Sequence, residues 1–213
     1  MAPASSPPSE HSAGSRRVLL IDIMDTVVVD PFFHGGIEDF FGVGVPELYK
    51  SIRPGVWVQF ERGELDAQTY YRSFFADGRA IDGPALVAWM AERYRLVDGI
   101  EDVLQRAVGA GIEIHALSNY PVWWQVIEER LELSRWLQWS FVSCMTGVRK
   151  PDPGAYLGPL DRLGAWPQQC LFTDDRQSNV DAAMEVGMHG HTFEGSDGLL
   201  EKLRALGWVT AAT

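Results

Sequence analysis

The chain has few basic residues. Its 18 Lys and Arg residues are outnumbered by 29 Asp and Glu residues, so the formal net charge is −11 at pH 7. Proteins bind nucleic acids and anionic membrane surfaces through basic surfaces, and this balance argues against both kinds of partner. An anionic small molecule is compatible with the composition, provided that a cation and a few basic side chains neutralise it locally.

Cysteines and long apolar runs are also scarce. The two cysteines, Cys144 and Cys170, lie in apolar stretches typical of strands, which predicts buried reduced thiols rather than a metal-binding pair. No segment approaches the roughly 18 consecutive apolar residues of a membrane-spanning helix. No apolar signal-peptide core follows the N-terminus. These absences predict a soluble intracellular protein.

The N-terminal residues differ in composition from the rest. Residues 1–16 are rich in Ser, Ala and Pro and lack apolar periodicity, so we predict a disordered tail. Their Ser and Ala content faintly resembles that of an organelle transit peptide. Hydrophobic residues make up 46% of the 213-residue chain, enough for one domain or for one domain with an insert.

Strand and helix patterns alternate in the second half of the chain. Apolar strand patterns occur at 112–117, 141–144, 170–173 and, more weakly, 190–193, with helical patterns between them near 100–108, 122–136, 153–164, 178–187 and 198–206. This alternation predicts a parallel sheet with right-handed crossovers. Residues 31–96 instead show helical spacing interrupted by glycines, which predicts an insert of three or four helices.

The first predicted strand runs into carboxylates. Val18–Ile21 is a short apolar run typical of a strand buried on both faces, and Asp22, Asp25 and Thr26 follow it. Open α/β sheets bind their ligands at the carboxyl ends of strands. An Asp that ends a strand is also common in ordinary turns, so the other strand ends decide between the two interpretations.

Polar side chains follow the other strands as well. Ser118-Asn119 follows the second strand, Lys150 follows the third, and Asp174-Asp175 ends the fourth. The ends of parallel strands meet at one edge of the sheet, where these carboxylates would repel one another without a cation. Oxygen ligands without His or Cys favour a hard ion, Mg²⁺ before Ca²⁺ or Zn²⁺.

In these residues the chain resembles the haloacid dehalogenase (HAD) superfamily. The four motifs of that superfamily correspond to Asp22 with Thr26, Ser118-Asn119, Lys150, and Asp174-Asp175 with Asn179. The insert resembles its helical cap. A narrower resemblance, to the plant and algal chloroplast flavin mononucleotide (FMN) hydrolases, is carried by Asp22–Thr26, Asp30–Phe32, Asn119–Pro121 and Trp123. The resemblance implies an α/β fold with a Rossmann-like parallel sheet, formed by 17–30 and 97–213, and a cap at 31–96.

The resemblance also implies an activity. The chain would be a Mg²⁺-dependent phosphatase that hydrolyses a small phosphomonoester, FMN above all, through a phosphorylated Asp22. The ion would be held by Asp22, the Met24 carbonyl and Asp175, with Asp174 beside it. The resemblance to chloroplast enzymes places the protein in the chloroplast stroma or the cytoplasm, as a monomer or a homodimer.

Further side chains would contact the substrate. Lys150 and Ser118 would bind the phosphoryl group, while Thr26 and Asn119 would complete the binding site. The cap and the segment after the second strand are rich in aromatic residues. Most of these are predicted to belong to the core, but Trp123 is the preferred candidate to stack on a flat isoalloxazine ring.

One position departs from the superfamily pattern. Most HAD phosphatases carry a second Asp two residues after the nucleophile, as the general acid for the leaving alkoxide, and this chain has Met24 there. Asp25, a water or a cap residue would then supply the proton, or Asp25 is a structural acceptor of backbone N–H groups. Two alternatives to FMN hydrolysis follow: a sugar-phosphate or general metabolite phosphatase, and a non-catalytic HAD-fold binding protein.

Overall fold

A five-stranded parallel sheet forms the centre of the computed structural model, which describes residues 16–210. The strands are β1 Val18–Ile21, β2 Glu113–Ser118, β3 Gln138–Val142, β4 Cys170–Asp174 and β5 His189–Thr192. They lie side by side in the order β3-β2-β1-β4-β5. Every neighbouring pair is parallel, and the central position of β1 explains why all four of its residues are fully buried. The predicted Rossmann-like fold is confirmed.

Alternate residues of β1 face two different apolar cores. Leu19 and Ile21 pack with the helices at Ile100–Gly109 and Ser196–Ala205 and with residues between β1 and the first of these helices. Val18 and Leu20 pack with the helices at Gly154–Leu163 and Gln177–Glu185. The helices of residues 16–210 are α1 Pro31–His34, α2 Ile37–Phe41, α3 Val45–Ser51, α4 Val56–Glu61, α5 Ala67–Ser73, α6 Gly83–Ala91, α7 Ile100–Gly109, α8 Trp124–Leu131, α9 Ser143–Thr146, α10 Gly154–Leu163, α11 Gln177–Glu185 and α12 Ser196–Ala205. Helices therefore cover both faces of the sheet. None is long and apolar enough to cross a membrane.

The segment between β1 and α7 contains six short helices, α1 to α6, where the sequence predicts three or four. Glycines and prolines interrupt the apolar periodicity every few residues, so helices that read as continuous in the sequence are broken. The segment is connected to the sheet by two adjacent backbone stretches. The Val29 N–H donates to the Arg95 carbonyl at 3.0 Å, and the Val97 N–H donates to the Val27 carbonyl at 2.9 Å.

Two further differences concern single segments. Ser143 and Cys144 begin helix α9 instead of continuing a strand, because β2 ends at Ser118, opposite Val142, and offers no further backbone partner. The predicted N-terminal tail lies outside the described residues except for Arg16, whose guanidinium pairs with Glu113 at 2.8 Å.

We predict that the contact between the loop after α4 and helix α9 depends on Gly63. Gly63 has a φ of 70° and its backbone lies against the Cys144 carbonyl, so an added methyl group would collide with that oxygen. Gly63→Ala should lower the free energy of unfolding by about 1–2 kcal/mol for the left-handed backbone. The collision should add about 1–3 kcal/mol. Urea unfolding measures both effects together.

Gly55→Ala is the matched control for this variant. Gly55 has a φ of 77° but no atom within 4 Å of the added methyl group, so only the backbone cost applies. Equal losses in the two variants would show that the close approach of Gly63 to α9 contributes nothing to stability.

Candidate active site

The Asp22 carboxylate lies at the carboxyl end of the central strand. The Asp22 N–H donates to the Thr173 carbonyl at 3.0 Å, which extends the pairing of β1 with β4 by one residue. Burial raises the pKa of Asp22 to about 7, against the lowering effect of the Lys150 ammonium. The carboxylate is therefore held away from bulk water with a cation beside it.

Lys150 bridges two buried carboxylates. Its Nζ lies 2.8 Å from Oδ1 of Asp22 and 2.6 Å from Oδ2 of Asp174. Burial acts to lower the pKa of Lys150, but the two carboxylates outweigh it and raise the pKa above its usual value. The ammonium is thus fixed in its charged form between the ends of β1 and β4.

Asn119 holds the backbone of Lys150 in place. The Lys150 N–H donates to Oδ1 of Asn119 at 2.8 Å, and Nδ2 of Asn119 donates to the Lys150 carbonyl at 2.9 Å. The sequence predicts a substrate contact for Asn119, whereas the structure places its amide against the main chain. Asn119 also lines the cavity described below.

The two adjacent carboxylates at the end of β4 have different surroundings. Asp174 is fully buried and accepts from Lys150 Nζ, from the Arg176 N–H at 2.9 Å and from Asn179 Nδ2 at 2.9 and 3.0 Å. Within residues 16–210, no group donates a hydrogen bond to the Asp175 carboxylate. Burial and then the charge of Asp174 raise the pKa of Asp175. Asp175 is therefore the open ligand of the pair.

The carboxylates are arranged as a cation site. Asp22, Asp174 and Asp175 each place an oxygen within 4.8 Å of the other two. The Met24 carbonyl accepts no backbone hydrogen bond from the described part of the chain. Asp22, Asp175 and the Met24 carbonyl thus form an oxygen-only donor set, which fits a hard divalent cation such as Mg²⁺.

Two predicted site residues carry buried hydroxyl groups without partners. Ser118, at the end of β2, and Thr26, in the loop after β1, are 2% and 0% exposed, and neither side-chain oxygen has a hydrogen-bond partner in the described chain. Leaving a buried hydroxyl unpaired costs about 1–3 kcal/mol. Neither residue is among those that line the cavity described below. An unpaired buried hydroxyl calls for an explanation, and a bound ligand would supply the missing partner.

Asp25 has a constrained backbone and an occupied side chain. It is one of two non-glycine residues with positive φ among residues 16–210, with a value of 56°. Its Oδ1 accepts the Asp30 N–H at 2.9 Å and lies 3.3 Å from Nε2 of His34. Asp25 therefore accepts a backbone N–H group, as its structural interpretation from the sequence predicts.

A cavity of about 320 Å³ is lined by residues at the strand ends and by residues of α1 and of α3 to α6. Its lining combines charged groups with aromatic ones. Its charged and amide lining groups are Asp22, Asp25, Asp30, Glu61, Asn119, Arg149, Lys150, Asp175, Arg176 and Asn179, and its aromatic ones are Phe32, Phe33, Tyr49, Trp57, Tyr70, Phe74, Tyr120 and Trp123. The cavity can therefore hold a molecule that has both an anionic group and an apolar or flat group.

The aromatic side chains differ in accessibility. Trp123 is only 5% exposed, and its indole N–H donates to the Tyr71 hydroxyl at 3.3 Å. Phe33 and Tyr49 are 52% and 49% exposed, with their rings 14° from parallel and their centroids 6.5 Å apart. The most accessible rings of the cavity are therefore Phe33 and Tyr49, and Trp123 belongs to the packed wall.

A buried ion pair connects the cavity wall to the lysine segment. Glu61, at the end of α4, accepts from Arg149 at 2.9 and 3.1 Å and from the Trp57 indole at 2.6 Å. Burial raises the pKa of Glu61, and the Arg149 charge opposes the shift. Because Arg149 directly precedes Lys150, this pair joins α4 to the segment that carries the ammonium.

Asp30, Glu61 and Arg149 were not predicted as site residues from the sequence. Asp30 follows the apolar Val27–Val29, and Glu61 ends α4 after the largely apolar Val56–Phe60, whereas Arg149 is adjacent to Lys150. A charge in such a position is a usable signal of a buried pair or site. It does not indicate which partner the charge meets across the fold.

Comparison with known proteins gives one family. A family model described as haloacid dehalogenase-like hydrolase matches residues 19–187. The chain is 44% identical over 190 residues to the chloroplastic flavin mononucleotide hydrolase 1 of Arabidopsis thaliana, covering 89% of this chain and 77% of that protein. It is 28% identical over 173 residues to the sesquiterpene phosphatase astK of Aspergillus oryzae, covering 77% of this chain and 85% of that protein.

Solved structures share the fold. A HAD family enzyme from Bacteroides thetaiotaomicron, crystallised with magnesium and inorganic phosphate, aligns with a TM-score of 0.68 and 18% identity over 84% of this chain and 95% of that one. A HAD-like hydrolase from Porphyromonas gingivalis aligns with a TM-score of 0.68 and 17% identity over 90% of this chain and 97% of that one. These similarities support the architecture described above.

We predict that removing the Lys150 charge destabilises the protein in a pH-dependent way. Lys150→Met leaves Asp22 and Asp174 facing each other without a cation, which should lower the free energy of unfolding at pH 8 by about 3–5 kcal/mol. The variant raises the folded-state pKa of Asp22 further above its unfolded value, so the loss grows as the pH rises through that pKa and is smaller at pH 5.5. Urea unfolding without divalent cations at both pH values measures this difference.

Lys50→Met is the control for this variant, because Lys50 is exposed on α3 and does not line the cavity. We expect little change from it at either pH. A Lys150→Met loss that is the same at pH 8 and pH 5.5 would contradict the electrostatic explanation.

Proposed function

Because this chain belongs to the haloacid dehalogenase-like hydrolases, we propose that it is a Mg²⁺-dependent phosphatase that hydrolyses FMN to riboflavin and phosphate. The observation that carries the proposal is the bridging of the buried Asp22 and Asp174 carboxylates by Lys150 at the floor of an aromatic cavity. The 44% identity to the Arabidopsis FMN hydrolase supports the substrate.

Asp22 is the proposed nucleophile. One of its carboxylate oxygens forms a bond to phosphorus while the bond from phosphorus to the leaving oxygen breaks, which gives an aspartyl-phosphate. Water then attacks this phosphorus and releases inorganic phosphate. Lys150 holds the Asp22 carboxylate in a fixed position, so the attack costs little reorganisation.

The phosphoryl group binds in a charged pocket made by four residues. Lys150 supplies a positive charge, and the free hydroxyl groups of Ser118 and Thr26 donate hydrogen bonds to phosphoryl oxygens. Asn119 places Lys150 by holding its backbone. A bound Mg²⁺ would neutralise negative charge on the transferring group.

Asp22, the Met24 carbonyl and Asp175 are the proposed ligands of that Mg²⁺. Asp174 lies beside them, with both of its oxygens already committed to Lys150, Asn179 and the Arg176 N–H. Its role is to keep Lys150 and the end of β4 in register with the cation site.

The cap selects the substrate. We assign residues 17–30 and 97–213 to the core, 31–96 to the cap and 1–16 to a tail. The cavity lies where cap and core meet, so the phosphate reaches the core while the flat ring system lies among cap aromatic residues. Trp123 contributes to the wall on the core side.

The site also bears on the two alternative functions. A sugar-phosphate or general metabolite phosphatase would use the same charged floor, but the aromatic walls favour a flat apolar group. A non-catalytic binding protein would not need the Lys150 bridge between two buried carboxylates, which stabilises a charged site at considerable desolvation cost.

We place the protein in the chloroplast stroma or the cytoplasm, since its Arabidopsis relative is described as chloroplastic. We propose a monomer or a homodimer.

The first test is phosphate release from FMN, glycerol phosphate and glucose 6-phosphate, with Mg²⁺ and with EDTA. We expect turnover of FMN with Mg²⁺, its loss in EDTA and its recovery on adding Mg²⁺ back. Asp22→Asn should reduce kcat by at least about 10³-fold, because the amide is not a nucleophile.

Asp161→Asn is the control for this substitution, because Asp161 is exposed on α10 away from the cavity. Turnover of glucose 6-phosphate but not of FMN would favour the general phosphatase. No turnover of any ester, with Asp22→Asn indistinguishable from the unmodified protein, would favour the binding protein.

A second test concerns the accessible aromatic rings. We expect Phe33→Leu and Tyr49→Leu each to raise the KM for FMN about 5-fold or more, because base-like aromatic stacking contributes about 1–3 kcal/mol. The kcat/KM for glycerol phosphate, which has no ring, should change less than about 2-fold. Trp166→Leu alters an aromatic residue that is 64% exposed and outside the cavity, and it should change neither constant. Equal losses for FMN and glycerol phosphate would argue against stacking.

A further inference from the structure

Asp30 is a cavity carboxyl for which the mechanism above has no use. It precedes helix α1 and lines the same cavity as Asp22. Its Oδ1 accepts the Phe32 N–H at 2.8 Å, and its own N–H donates to Asp25. No Lys or Arg within residues 16–210 forms an ion pair with it. Asp30 is therefore partly buried in the site without a cation of its own.

The surroundings of Asp30 favour its protonated form. Burial raises the pKa of Asp30 to about 6, and the charge of Asp25 adds to the shift, while the Phe32 N–H and His34 oppose it. The hydroxyls of Tyr49, Tyr94 and Tyr120 also face it. They are neutral near pH 7 because the ordinary pKa of Tyr is about 10, and burial raises their pKa values further. Asp30 thus keeps a proton closer to neutral pH than an exposed Asp does.

The site needs such a proton. The leaving group of FMN is an alkoxide, which is expelled slowly unless it is protonated, and general acid catalysis contributes about 10²–10⁴-fold to such a step. Met24 carries no proton to donate. Asp25 accepts the Asp30 N–H and faces the His34 ring with the same oxygen, so that oxygen is already engaged within the loop.

We propose that Asp30 is the general acid and base of this phosphatase, in place of the carboxyl that Met24 does not provide. As the oxygen of Asp22 bonds to phosphorus and the bond to the leaving oxygen breaks, the Asp30 proton passes to that oxygen and an alcohol leaves. The Asp30 carboxylate then takes a proton from the water that attacks the aspartyl-phosphate. Phosphate is released, and both carboxyl groups return to their starting forms. This assignment rests on the proposed phosphatase activity.

The test compares leaving groups of different acidity. Asp30→Asn keeps an acceptor for the Phe32 N–H, and Asn caps helices as well as Asp does, but the amide has no proton to donate. The variant should lose about 10²-fold or more in kcat/KM for FMN. For 4-nitrophenyl phosphate, whose leaving group needs no proton, the loss should stay below about 3-fold.

Two matched variants separate this role from structural effects. Asp82→Asn changes an Asp that caps α6 by accepting the Ala85 N–H at 3.0 Å, outside the cavity, and it should leave both substrates unaffected. Asp25→Asn should lower both rates by similar factors, because it disturbs the loop without removing the proton donor. A loss confined to FMN in Asp25→Asn, with equal losses on both substrates in Asp30→Asn, would overturn the assignment.

The comparison of leaving groups can be interpreted whichever ester the protein hydrolyses. If the unmodified protein hydrolyses glycerol phosphate but not FMN, the proposed substrate is wrong, and glycerol phosphate replaces FMN as the alkyl ester in the same comparison. Turnover of no ester at all would overturn both the phosphatase and the role of Asp30. Urea unfolding checks that Asp30→Asn folds. Asp30→Ser, which also supplies a capping oxygen, takes its place if it does not.

Discussion

The buried ammonium of Lys150 is the interaction on which the rest of the site depends. Its bonds to Asp22 and Asp174 hold together the ends of β1 and β4, two neighbouring strands of the sheet. Asn119, directly after β2, fixes its backbone, and Arg149, the residue before it, pairs with Glu61 of α4. One cation and its neighbours therefore connect three strand ends and helix α4. Without it, two desolvated carboxylates would repel each other.

The cavity combines two kinds of surface that recognise different parts of one molecule. The strand ends supply charge and unpaired hydroxyl groups, whose directional bonds suit a phosphoryl group. The segment between β1 and α7, together with the residues after β2, supplies rings, whose contacts depend on area and shape rather than on direction. Selection of the organic part of the substrate is thereby separated from the chemistry at phosphorus, and each can change without the other.

The sheet and the convergence of Asp22, Asp174 and Lys150 could be predicted from the sequence because they follow from local apolar runs and from parallel topology. The number of helices between β1 and α7 could not be predicted, since helices of four to nine residues contain too few turns to show a clear period. The hydrogen-bond and ion-pair partners of Asn119 and Glu61 could not be predicted from the sequence either. Both depend on residues 31 and 88 positions away, on contacts that only the folded chain creates.

The two backbone stretches that connect the segment between β1 and α7 to the sheet lie side by side, joined through Val29 to Arg95 and Val97 to Val27. For the sheet, this whole segment is thus a loop whose ends already meet. The entropy of closing a loop grows only logarithmically with its length, by about 0.6 kcal/mol for each doubling. Segments of very different size can therefore be inserted at this point at almost the same entropic cost, so one sheet of this kind can carry many different insertions.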